Sequence, residues 1–281
     1  ISGFGWGLGY FGGLASLLLI KPMIDGGFSV ENLPRLRLVW PMTALFFLIA
    51  ALPTFLFLRE RAPRRSEPLL YYARQGFGRL LTTVRSIGHF RELAKFLGVF
   101  FVYSSGLMSI IAFVGVYAER TVGFTSSELI FLFLVVQVSS AGGAFAFGAI
   151  QDRLGARRTI QVSLLLWIGT CLAAYLTSTK LAFWVIAVTA GLGIGSLQSA
   201  SRALIGMFAP VGKAGEFFGL WGLAVKFSSI LGPMTYGSVT WLSGGDHRLA
   251  ILVTGGYFVV GLLILAGVDA ERGRRAALSG V

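Results

Sequence analysis

The sequence predicts an all-α polytopic membrane protein with eight transmembrane helices. Three observations carry that class. Of 281 residues, 55% are hydrophobic and 13% charged, with a mean hydropathy of +0.78, whereas a soluble domain carries about 25% charged residues. The apolar residues fall into eight blocks of roughly twenty, the length a helix needs to cross a bilayer. The basic residues collect in the gaps between blocks, as they do in the loops of a membrane protein. Lipid offers no partner for a free backbone N–H or C=O, so the blocks are read as helices, and no block has the two-residue alternation of an outer-membrane barrel.

The same pattern excludes a water-soluble enzyme, a disordered chain and a secreted disulfide scaffold. Cys171 is the single cysteine, so no intrachain disulfide and no cysteine-based zinc site is expected. With only His89 and His247 beside it, no metal and no cofactor is expected either. A net charge of +12 could suit nucleic acid, but basic residues placed in the gaps speak for topology, and no nucleic-acid partner is expected.

The spans run over roughly 3–21, 38–58, 93–118, 127–150, 159–177, 181–207, 215–242 and 248–268. Between the second and third lies a polar stretch, 59–92, holding Arg59, Arg61, Arg64, Arg65, Arg74, Arg79, Arg85 and Arg91. Pro63 and Pro68 open it, and Leu69, Leu70, Phe77, Leu80, Leu81 and Val84 then recur at helical spacing. That spacing predicts an amphipathic helix on the inner membrane surface. With this loop in the cytoplasm, the cytoplasmic gaps also hold Lys95, Arg153, Arg157, Arg158, Arg202, Lys213, Arg272, Arg274 and Arg275. The outer gaps hold Lys21, Arg35, Arg37, Arg120, Lys180 and Arg248. The inner excess sets the orientation and puts both ends of the chain inside. The organisation is therefore two spans (1–58), a basic linker (59–92), six spans (93–268) and a basic tail (269–281).

The most specific motif is Gly148-Ala-Ile-Gln-Asp152-Arg153-Leu-Gly155-Ala-Arg157-Arg158, between the second and third of the last six spans. Gly148 allows two helix ends to approach. Asp152 is placed to accept charge-assisted bonds from a neighbouring helix end. Gly155 permits a tight reversal, and the arginines anchor the turn at an anionic surface.

This spacing resembles the signature loop of the major facilitator superfamily, in its second occurrence between the eighth and ninth helices. The resemblance implies that the eight spans are helices five to twelve of a twelve-helix fold, with four spans ahead of Ile1. A narrower likeness is carried by residues 2–14, Ser-Gly-Phe-Gly-Trp-Gly-Leu-Gly-Tyr-Phe-Gly-Gly-Leu. It is carried also by 191–233, with Gln198, Ser201, Arg202, Pro210, Lys213, Glu216, Gly219, Lys226, Gly232 and Pro233. Together these blocks resemble the vacuole-effluxer-like branch, whose eukaryotic members are autophagy-related vacuolar amino-acid effluxers. The likeness implies secondary transport of small polar solutes by alternating access, with amino-acid efflux and a coupling proton as its finer form. A full-length monomer in a bacterial cytoplasmic membrane is expected.

Candidate residues follow from depth and spacing. Gly5, Gly9 and Gly13 form a smooth stripe, and Gly142 and Gly143 lie in a small-residue patch of the fourth span. Two spans meeting there form either a sliding seam or plain packing. Lys226 lies deep in the seventh span, where a cation is costly, so it faces a cavity or a partner. Gln198, Ser201 and Arg202 share one face of the sixth span. With Gln137 and Tyr103 they are the substrate-cavity candidates. Arg202 is shallow enough to snorkel, and Glu216 either caps the seventh span or pairs with Arg202 as a gate. No Asp or Glu lies near the middle of any span. A non-transporting sensor or scaffold is the alternative. An enzyme is weaker still, since no Walker loop, G-x-S-x-G or H-E-x-x-H occurs and no catalytic residue is expected.

Overall fold

Each apolar block folds as one helix, because every backbone polar group is then satisfied within its own segment. The computed structural model describes residues 2–27, 29–59, 87–210 and 212–279, with positions 68, 71, 76 and 78 between them. Its long helices are α1 (Ser2–Ile24), α2 (Leu33–Phe57), α3 (Arg91–Tyr117), α4 (Ser126–Leu154), α5 (Ala156–Leu176), α6 (Lys180–Phe208), α7 (Ala214–Leu242) and α8 (His247–Leu265). All eight are long and apolar enough to cross a membrane. A ninth, α9 (Ala270–Ser279), is short and polar. The amphipathic helix expected near 69–84 lies outside the described residues.

Helix ends are set by local chemistry. Thr125 and Glu128 form a reciprocal capping box at the start of α4. Asp246 accepts the Arg248 and Leu249 N–H groups at the start of α8. Gly123, with φ of 82°, ends the π turn Ala118–Val122 that closes α3.

In the six-helix unit α7 packs on α3, α3 on α8, α8 on α5, α5 on α6 and α6 on α4. Small residues set the closest crossings, because apolar attraction between helices is weak in lipid and close backbone approach replaces it. At α4–α6 a Cβ on Gly191 would meet the Val136 carbonyl at 2.7 Å, and one on Gly195 would meet the Ala144 nitrogen at 2.6 Å. At α3–α7, Gly232 lies against the Ser105 backbone, and Ser228 donates to the Phe101 carbonyl at 3.1 Å. Polar groups pair across the same seams: Ser196 donates to Ser163 at 2.7 Å between α6 and α5. The aromatic centre is Trp167, fully buried and stacked on Phe258 at 5.2 Å.

The first span, α1, lies on α4 and α6, and α2 touches the rest chiefly through α1. No residue of α2 is buried, and Trp40 and Phe55 are about 80% exposed. The basic tail is a docked helix. Gly273 of α9 sits against the Phe208 ring at the end of α6, and Asp269 caps the helix by accepting the Arg272 N–H at 3.0 Å. That bond holds the Asp269 carboxyl below its ordinary pKa. A lowered carboxyl stabilises above its unfolded pKa and loses that contribution as pH falls through the folded value. The cap is therefore intact at neutral pH and weakens only in acid.

Candidate substrate cavity and signature turn

The glycines of α1 do two jobs, and the register separates them. Gly3 and Gly7 are the buried pair. A Cβ on Gly3 would meet the Ala144 carbonyl at 2.6 Å, and Gly7 lies on the Phe145 ring. The α1–α4 contact is therefore made by Gly3 and Gly7, and of the Gly5, Gly9, Gly13 stripe only Gly13 reaches α4. Positions two residues apart on a helix differ by about 200°, so the two rows face opposite ways. A Cβ on Gly5 or Gly9 would meet nothing within 4 Å, whereas Gly13 lies against the Gln137 amide. On α4 the pattern divides again: Gly142 is open, and Gly143 packs on the Leu192 backbone of α6 rather than on α1.

Gly9, Gly12 and Gly13 instead open a cavity of about 790 Å³ between α1, α2, α3, α4 and α6. Trp6 and Tyr10 line it from α1, Phe46 and Phe47 from α2, and Ile110 and Val114 from α3. Phe133, Gln137 and Ser140 come from α4, and Ala190, Ile194 and Gln198 from α6. No Asp, Glu, Lys or Arg is among these lining residues. The Gln137 and Gln198 amides make no hydrogen bond to a described residue. The Trp6 indole N–H and the Ser140 hydroxyl are buried without a partner among the described residues. An apolar chamber with a few uncommitted hydrogen-bonding groups is the usual form of a small-molecule site, and such sites in transporters lie near mid-membrane between helices.

The other cavity candidates fall elsewhere. Tyr103 and Ser201 satisfy each other, with their hydroxyls 2.7 Å apart in a fully buried position between α3 and α6. Two polar groups at depth that pair leave nothing for a solute. The Arg202 guanidinium lies over the Phe218 ring at 5.9 Å, a cation–π contact that holds it away from the chamber. Glu216 sits in the first turn of α7, where a carboxylate suits the helix dipole. Lys226 is exposed on α7, turned away from the Ser228 and Gly232 row that meets α3. Its ammonium makes no hydrogen bond or ion pair with a described residue. Trp6, Tyr10 and Ser140 were invisible to sequence reasoning, because an aromatic or serine in an apolar helix reads as packing.

The signature turn is built as its residue types imply. Gly155 joins α4 directly to α5 with φ of 81° and ψ of 156°, a region that side chains disfavour. Gly148 faces the Gly3 backbone at the start of α1, with 3.5 Å from its Cβ position to the Gly3 Cα. Arg157 donates to the Ala266 carbonyl at 2.8 Å, fixing the turn to the end of α8 where the dipole is negative. Arg153 and Arg158 are exposed. Asp152 is exposed and has no bond to a described residue, so the expected contact to a neighbouring helix end is not made here. Gly155→Val will strain the turn by about 1–3 kcal/mol. The check is a lower thermal midpoint in detergent than for wild type, with Gly142→Val, in open space, staying near wild type.

A helical bundle of membrane-spanning length with a chamber between its helices and this turn has the form of the major facilitator fold. Solved structures agree on the fold. The human organic anion transporter MFSD10 superposes with a TM-score of 0.66 at 15% identity, over 89% of this chain and 64% of that one. A bacterial homolog of the human lysosomal transporter Spinster gives 0.59 at 19% identity, over 99% and 66%. Among curated proteins, the uncharacterized MFS-type transporter YxiO of Bacillus subtilis is 29% identical over 276 residues, 96% of this chain and 63% of that protein. Autophagy-related protein 22 of Kluyveromyces lactis is 26% identical over 301 residues, 99% of this chain and 59% of that protein. The chain thus spans about three-fifths of the length of these relatives. A model of the family described as vacuole effluxer Atg22 like matches residues 1–278. The chain belongs to that family.

Proposed function

We propose that the protein is a secondary active transporter that moves a small polar solute by alternating access, with amino-acid efflux as the specific form. The chamber of about 790 Å³ carries the proposal, because it joins α1 and α2 to the six-helix bundle and holds two uncommitted amides, Gln137 and Gln198. The Gly155 turn and the Arg157 anchor are the rigid hinge parts on which a rocking motion would bear. A coupling proton carried on a carboxylate would draw on a group outside the described chamber wall, which has none. The placement is a bacterial cytoplasmic membrane with both ends of the chain inside, supported by the excess of Lys and Arg in one set of gaps. A sensor built on the same fold is the competing reading. Flux of amino acids into proteoliposomes of the full-length protein separates the two: saturable flux supports transport, and its absence across the amino-acid set overturns it.

Lys226 enters the proposal as a second, charged element. It lies about 18 Å along α7 from Ala214 at about 1.5 Å per residue, and a cation at that depth is costly without a partner. A carboxylate on the solute or on another part of the protein would compensate it. Lys226→Ala should insert as well as wild type, since an expensive charge is removed, while flux of a carboxylate-bearing solute falls. Lys226→Arg should restore flux only in part, because a planar fork does not replace a compact ammonium. Wild-type flux in the alanine variant at matched membrane expression would make the lysine irrelevant to transport.

A further inference from the structure

The start of α3, the end of α6 and the tail helix α9 meet at one end of the bundle and enclose a second pocket, of about 300 Å³. Its floor is apolar, made by the buried side chains of Phe90, Leu93 and Phe208. Its rim carries two arginines, Arg91 of α3 and Arg272 of α9. Arg91 is exposed and makes no hydrogen bond or ion pair with a described residue, and Arg272 is held only in two long ion pairs. The Arg272 guanidinium stands 3.8 Å from Glu92 and 3.9 Å from Asp269, beyond hydrogen-bond reach of either.

The carboxylate in the wall, Glu92, is already committed. It is 4% exposed, one oxygen takes the Lys95 ammonium at 2.9 Å, and the other takes the Asp269 N–H at 2.7 Å. Its two oxygens are taken by Lys95 and by the tail, so Arg272 meets Glu92 and Asp269 only at long range and keeps guanidinium N–H groups open beside Arg91. The pocket lies where α3 enters and α6 leaves the apolar span, which is the headgroup level of a bilayer. A guanidinium binds phosphate oxygens two at a time. A free phosphate would use the arginines alone and leave the aromatic floor wet. A phospholipid uses both, with its phosphodiester on the arginines and its glycerol and first acyl carbons on the floor.

We infer that this pocket binds the headgroup of an anionic glycerophospholipid from the adjoining leaflet, and that the lipid staples α9 to α3 by bridging Arg272 and Arg91. The bridge adds to the Glu92–Asp269 bond, so α9 docks more firmly when the lipid is present.

The test uses purified, delipidated full-length protein in detergent. Phosphatidylglycerol, phosphatidylcholine or inorganic phosphate is added, and tryptic cleavage after Arg274 and Arg275 in α9 is timed. Bound lipid is counted by native mass spectrometry. Phosphatidylglycerol is expected to slow cleavage several-fold and to add one retained lipid, while phosphatidylcholine and phosphate do neither. R91Q and R272Q should each lose the retained lipid and the protection. R91Q removes a side chain with no partner in the described protein, so its fold should be kept. R37Q, an arginine outside the pocket, should behave as wild type. Equal protection by phosphatidylcholine, an undiminished response in R91Q and R272Q, or full protection by phosphate alone would each overturn the lipid assignment.

Discussion

Gly195→Leu is expected to abolish the folded bundle. Helices α4 and α6 approach so closely at this point that a Cβ on Gly195 would overlap the Ser140 carbonyl and come within 2.6 Å of the Ala144 nitrogen. Both neighbours are backbone, so no side chain can rotate aside. Overpacking a close-packed site usually costs about 1–3 kcal/mol, and here the relief would require parting two helices along their main seam. Gly191 repeats the problem one turn away, against Val136 and Ser139, so the crossing cannot pivot about its other end. The expected result is loss of the monodisperse peak in size-exclusion chromatography, or a thermal midpoint too low to measure. Gly5→Leu, in open space on α1, is the control and should purify normally. A well-folded Gly195→Leu protein would mean that α4 and α6 do not cross here.

The glycines also show what a sequence discloses and what it withholds. Span number and rough limits were legible, because a run of about twenty apolar residues has few other uses. The signature turn was legible because its spacing demands a glycine with positive φ, and Gly155 has it. The contact face of α1 was not. Glycine recurs at four-residue spacing both as Gly3 and Gly7 and as Gly5, Gly9 and Gly13, and nothing local ranks one row above the other. The partner decides: Phe145 and the Ala144 carbonyl take Gly3 and Gly7, and the second row is left to open a chamber.

Polar residues at depth mislead in a related way. Tyr103, Gln137, Gln198 and Ser201 look equivalent in the sequence, each a hydrogen-bonding group in an apolar helix. Folding sorts them by whether a mate lies opposite. Tyr103 and Ser201 find each other across the α3–α6 seam, and the two glutamines do not. The basic tail hides its helix for the opposite reason. Its charges dominate any hydropathy reading, while the docking face consists of Gly273 and Ala277, too small to register, set against Phe208 some sixty residues earlier in the chain.

The amides give the second large effect. Gln137→Leu and Gln198→Leu should leave the fold intact and sharply weaken transport. Leucine matches glutamine closely in size, and neither amide has a hydrogen bond within the described protein to lose. Both amides are half-buried at the chamber wall, so an apolar group in their place breaks no bond within the described protein and is expected to hold stability. Solute binding runs the other way. A hydrogen bond from each amide is worth about 1 kcal/mol net, which is about fivefold in affinity for one variant and about thirtyfold for the double variant. The chamber would stay the same size and keep only the Ser140 hydroxyl as a polar group along its α4 and α6 walls, so a polar solute would recover little of its lost hydration. Concentration-dependent flux in proteoliposomes, alongside thermal midpoints of the same preparations, separates the two readouts. A rise in the half-saturating concentration with an unchanged midpoint is the expected pair. Unchanged flux in the double variant would remove the chamber from the transport path, and a collapsed midpoint would show that the amides hold the helices together instead.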